Sequence, residues 1–177
     1  GLLEASDDTL SSCVVIDGKE ARIENCNLEG GHGGAVFLRR SSAVLTSCAI
    51  HRCSQAAVVC NSTATAEITS NCFMANSGEG VVFVGGSTGT MEGNFVCQSG
   101  GSGVECRDES APCIRNNHIL DGSACGVWVR GHATPTIEGN SILRTGTAGI
   151  RVSDSSDPRV ERNRLCDGRQ SGVVVEG

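Results

Sequence analysis

Asn71, Asn94, Asn117, Asn140 and Asn163 follow one another at a constant interval of 23 residues. An apolar residue stands two positions after each (Phe73, Val96, Ile119, Ile142, Leu165) and another three positions before (Ile68, Met91, Ile114, Ile137, Val160). Upstream the register continues with one residue fewer per repeat, and Cys48 and Cys26 fill the Asn position. A further apolar row, Val14, Val36, Val58, Val81, Val104, Val127, Ile150 and Val173, keeps the same step. Several apolar rows locked to one such period mean that each repeat closes one turn of a solenoid, whose core is continued by the turns on either side.

Each repeat holds three short extended segments. The first alternates, as in Gly126-Val127-Trp128-Val129 or Gly149-Ile150-Arg151-Val152, so its first and third residues point inward. A polar or Gly-rich turn leads to the second segment, the Asn position makes a corner, and an apolar pair forms the third. No stretch repeats apolar residues at helical spacing for long enough to form an amphipathic helix, so the chain reads as all-β. The expected fold is a single-stranded right-handed parallel β-helix of seven to eight coils of 22 or 23 residues, with an Asn ladder. The hand follows from the crossover preference of L-amino acids. Eight stacked coils make a rod roughly 34 Å long.

The Asn residues read as structural. A stacked Asn tolerates the left-handed backbone region, and its amide can satisfy peptide groups that a buried corner would leave unpaired. The glycines at 80, 103, 126, 149 and 172 are expected to serve the opposite corner by accepting a positive φ.

Composition restricts function. With a net charge of −6 and a pI near 5.2, the chain lacks the concentrated basic face that a phosphate backbone requires, which argues against nucleic acid. No stretch of 18 apolar residues suggests a membrane span. The expectation is one domain covering residues 1–177. Its run Val173-Val174-Val175 ends without a capping segment, so it reads as part of a longer protein or as a rod able to stack end to end.

Eleven cysteines are many for 177 residues, and the odd count cannot be fully paired within one chain; from their register they read as small hydrophobes in a reduced, cytoplasmic protein. Cys60 and Cys106 fall on inward first-segment positions. Cys26 and Cys48, neighbours in register, are about 5 Å apart at Cα, which would permit a bridge. No CxxC pair occurs, and His32, His51, His118 and His132 fall in different slots, so neither a metal nor a cofactor is expected. The sequon Asn61-Ser62-Thr63 is expected to stay unmodified in such a compartment.

Two patches stand out on the outward side of the first segment. The outward residues are Val15, Phe37, Val59, Val82, Glu105, Trp128, Arg151 and Val174, of which the first four form an apolar stripe where solvent is expected. Exposed stripes of this kind mark interfaces. Phe37, Val59 and Val82, extended by Trp128, are therefore the candidate contact with another protein or with flanking domains of the same chain. Glu105, Arg107, Trp128, Arg130, Arg151 and Asp154 form the alternative candidate, a carbohydrate-binding face with Trp128 as stacking platform.

One fragment suggests catalysis. Ser11-Ser12-Cys13-Val14-Val15-Ile16, followed by Gly31-His32-Gly33, resembles part of the active-site stretch of polygalacturonases. Those enzymes carry two Asp where Ser11 and Ser12 stand here, and Asp7 and Asp8 lie four residues too early. Glycoside hydrolysis needs an acid and a base flanking the bond. The chain is accordingly expected not to be an enzyme.

The repeat grammar, clearest in Cys125-Gly126-Val127-Trp128-Val129, Pro135-Thr136-Ile137-Glu138-Gly139-Asn140-Ser141-Ile142 and Arg169-Gln170-Ser171-Gly172-Val173, resembles the β-helix repeats of the eukaryotic F-box only protein eleven family. These are also described as carbohydrate-binding and sugar-hydrolase repeats. The resemblance implies a parallel β-helix that recognises protein substrates for a ubiquitin ligase. The expected function is therefore a non-catalytic interaction scaffold, with a carbohydrate-binding or carbohydrate-active module as the alternative.

Overall fold

In the computed structural model, residues 12–31 and 33–177 are described; Asp7, Asp8, Ser11 and His32 lie outside them. The chain winds through three parallel sheets in strict rotation, of eight, seven and seven strands. The first sheet holds Val14–Asp17, Val36–Arg39, Val58–Asn61, Val81–Phe83, Val104–Cys106, Val127–Val129, Ile150–Val152 and Val173–Val175. Glu20–Glu24 opens the second sheet and Asn27–Glu29 the third, and each recurs once per coil. The winding is right-handed, and no helix occurs among the described residues.

The apolar rows pair in the register that the period dictates, with Val58 beside Val81, Val81 beside Val104, and Phe73 beside Val96. Inward side chains of all three sheets meet in one core, where Phe73, Phe83, Ile68, Met91 and Ile114 are fully buried. The thiols fit this packing. Cys60 and Cys106 are the first-sheet neighbours of Phe83, one coil on each side, so two small side chains flank the largest one in the row. All eleven cysteines are free. Cys26 and Cys48 are unbridged: the Cys48 sulfur accepts the Cys26 backbone N–H at 3.5 Å.

Each buried Asn joins three coils. Asn94 Oδ1 accepts from the backbone N–H and the side-chain amide of Asn71, at 2.9 and 3.0 Å, while Asn94 Nδ2 donates to Ile68 O at 2.9 Å. Asn117 and Asn140 repeat the pattern, and Asn163 ends it. The ladder Asn residues do not themselves adopt the left-handed region. The residue before each does, with φ of 56° at Ser70 and 55° at Asn116. Turning the chain one residue early swings the Asn side chain into the interior, where its amide reaches the neighbouring coils.

Glycine has a different role from the one expected at 80, 103, 126, 149 and 172, none of which has a positive φ. A Cβ on Gly126 would lie 2.6 Å from Gly149 O and collide with Ile142 Cγ2; on Gly103 it would lie 2.8 Å from Gly126 O. The third sheet crowds against the first at this corner and leaves no room for a side chain. Gly172 differs, since its nearest neighbour would be Leu165 Cδ1 at 3.5 Å. Gly126→Ala is expected to cost about 1–3 kcal/mol by overpacking and Gly172→Ala to be near neutral. Equal losses in chemical denaturation of the two variants would show that crowding is not the reason for glycine.

Candidate functional site

The outer face of the first sheet presents two side-chain columns, because the second strand residue and the one two places later both point outward. In coil order the pairs run Phe37 and Arg39, Val59 and Asn61, Val82 and Val84, Glu105 and Arg107, Trp128 and Arg130, Arg151 and Ser153. The two candidate patches are thus one continuous face, apolar at one end and charged at the other.

The apolar end is a groove rather than an open stripe. Val15 is 47% exposed, Phe37 and Val59 are half-buried, but Val82 is only 4% exposed. Val84, from the same coil, and Ala56, from the preceding turn, pack with Val82 in a small cluster outside the main core, with Val59 against it. The expectation of a solvent-facing Val82 is corrected accordingly: the second outward column covers it. Phe37, Val59, Val82, Val84, Gln55, Asn61, Glu79, Glu105 and Arg107 line a shallow trough of about 380 Å³ along the rod.

At the charged end the side chains satisfy one another. Glu105 is 5% exposed although it points away from the core, and its Oε1 accepts from Arg130 Nε at 2.7 Å. Arg130 lies over the Trp128 ring at 4.7 Å and Arg151 lies 5.6 Å from the same centroid. Arg151 is held at 2.6 Å by Glu176, whose hydrogen bond raises the guanidinium pKa. Glu105, Trp128, Arg130 and Arg151 therefore do come together, but the indole face needed for sugar stacking is covered by cations. Asp154 stands apart at a corner, where its carboxylate accepts from Ser153 Oγ at 3.4 Å and its backbone carbonyl from His132 N–H at 3.2 Å.

Arg107 is the exception. No hydrogen bond occupies its guanidinium; Glu105 Oε1 is 3.8 Å from Nε and Asp108 Oδ2 is 3.6 Å from Nη1. Its Nε is buried without a partner. Left alone, such a donor costs about 1–3 kcal/mol.

Sequence reasoning looked outward only from the first sheet and so missed the third. There Met74 and Phe95 are 42% and 41% exposed, with Leu120 and Leu143 half-buried beside them. The signal was present: the residue after each ladder Asn, and the one two further on, must point outward. Among the described residues no group of His, Cys, Asp and Glu is placed to hold a metal ion.

Sheets, corners and rows together define a solenoid wound once per repeat, and the family comparison agrees. The chain belongs to the family described as right handed beta helix region, which it matches over residues 12–94 and 56–177. No curated protein matches it. Among solved structures, it is similar to the A-module of the Azotobacter vinelandii mannuronan C-5 epimerase AlgE4, at 13% identity and a TM-score of 0.47. That alignment covers 81% of this chain and 64% of the module, so the chain spans less than two thirds of the module's length.

Proposed function

We propose that this β-helix is a non-catalytic recognition module that holds another protein in the first-sheet groove, in the reducing setting of the cytoplasm. The observation carrying this reading is the apolar trough itself: Phe37, Val59, Val82 and Val84 line an outward face where a solvated sheet would carry polar side chains. The chemistry beside it supports recognition over turnover, because the Glu105 carboxylate is tied to Arg130 and the Trp128 ring is covered by guanidinium. A substrate-recognition role of ubiquitin-ligase type is the finer form of the proposal and rests on the repeat grammar. The second reading, carbohydrate binding, is favoured by one feature, the polar set Gln55, Asn61, Glu105 and Arg107 within the same groove.

Phe37→Asp combined with Val59→Asp places two charges on half-buried positions and leaves the buried Val82 untouched. In quantitative affinity capture with the intact protein as bait, the double variant is expected to lose a specific protein at least about tenfold, as for other central interface residues, with its melting temperature nearly unchanged. A glycan array run in parallel decides the second reading. Glycan binding that vanishes in Glu105→Gln, with no protein lost in the double variant, would overturn the first.

A further inference from the structure

The rims of the groove carry opposite charges, and neither is held by a hydrogen bond: Arg107 pairs only loosely with Glu105 at 3.8 Å and Asp108 at 3.6 Å. On the side where the chain enters the first sheet stands Glu79, whose carboxylate has no hydrogen bond or ion pair among the described residues; on the side where the chain leaves stands Arg107. Between them Glu105 is compensated by Arg130 at 2.7 Å and contributes little net charge. The floor separating the rims is apolar and three strand residues wide, on the order of 10 Å. Both groups keep hydrogen-bonding capacity that an oppositely charged partner can take up in charge-assisted bonds.

The geometry of an extended polypeptide fits this arrangement. Laid along the rod, its side chains alternate left and right, one residue every 3.3 Å or so. Glu79 precedes the Val81–Phe83 strand and Arg107 follows the Val104–Cys106 strand, one coil further on. They are offset by about 4.8 Å along the axis, between one and two residue steps of such a chain, and only adjacent residues point to opposite sides. We propose that the groove reads an extended protein segment carrying adjacent residues of opposite charge, the acidic one bound by the Arg107 guanidinium and the basic one by Glu79, over the floor of Phe37, Val59 and Val82. This rests on the protein-recognition reading and specifies its partner. A polyanionic sugar would satisfy Arg107 but meet repulsion from Glu79, and a neutral sugar would leave both ions unpaired.

The test is selection of a random dodecapeptide library displayed on phage against the whole chain, with Phe37→Asp as counter-selection. Enriched peptides are expected to carry an acidic and a basic residue side by side, flanked by apolar ones. In fluorescence anisotropy they should lose affinity roughly tenfold or more on Arg107→Glu, and again on Glu79→Arg. The double reversal should instead prefer peptides in which the two charges are exchanged. Groove-dependent peptides without charge preference, indifferent to both rim variants, would overturn the polarity proposal and leave protein recognition standing. Selection that yields no Phe37-dependent peptide would overturn both.

Discussion

Asn117→Ala is expected to destabilise the rod by about 2–6 kcal/mol, since two buried polar groups are left unpaired at about 1–3 kcal/mol each. Asn117 is 1% exposed and spans three coils. Its Oδ1 accepts from the Asn94 backbone at 2.9 Å and from the Asn94 side chain, while its Nδ2 donates to Met91 O at 2.8 Å and to Asn140 Oδ1 at 3.0 Å. Truncation strands the Asn94 backbone N–H and the Met91 carbonyl in a corner closed to water, and removes one of the bonds of each neighbouring amide. The damage spreads both ways along the ladder, because each amide is oriented by the next. Asn163→Ala should cost about half as much: the last rung receives from Asn140 but donates only to Ile137 O, in a half-buried setting. Urea denaturation of the two variants checks the ranking. Equal midpoints, or an Asn117→Ala loss below about 1 kcal/mol, would mean that the ladder is not what holds these corners.

The repeat made the architecture legible because stacking forces identical positions into contact. The rows beginning at Val14 and Ile68 could not be buried in any register other than the observed one, and the interval between them located all three sheets. What the sequence could not convey was the consequence of two positions acting together. Val82 looked exposed because its own slot points outward; only the simultaneous presence of Val84 in the adjoining column and Ala56 in the preceding turn covers it. Glu105 looked like a surface charge for the same reason, until Arg130 and Arg107 closed over it. At Gly103 and Gly126 the sequence showed a required glycine but not whether torsion or space required it, since both demands leave the same letter. The third-sheet face at Met74 and Phe95 was legible from simple alternation. The polarity of the groove was not, because Glu79 and Arg107 belong to different coils and to opposite ends of their strands.

High pH should unfold this protein through its core thiols. Burial pushes the Cys60 pKa from 9.0 up to about 12. Burial raises Cys106 further still, helped by the charge of Glu105 and by Cys60 itself. Cys53 rises to about 11, again chiefly from burial. A thiol is neutral when protonated, so a folded-state pKa above the unfolded one favours folding fully below pH 9 and progressively less as pH climbs toward the folded value. Within that window each buried thiol withdraws about 1.4 kcal/mol per pH unit. Cys60 alone would then remove roughly 4 kcal/mol by pH 12, and Cys106 a comparable amount, against a total of about 5–15 kcal/mol for a typical domain. Burial also raises Cys48 and Cys97, and thiols dominate this range because the chain has eleven cysteines, no tyrosine and a single lysine. Under reducing conditions the melting temperature is expected to stay level up to about pH 9 and then to fall steeply. Cys60→Ala combined with Cys106→Ala should lower stability at neutral pH, because Phe83 loses the two side chains packed against it, yet flatten the alkaline fall. A melting temperature that is constant through pH 11, or an equally steep fall in the double variant, would show that the core thiols do not set the alkaline limit.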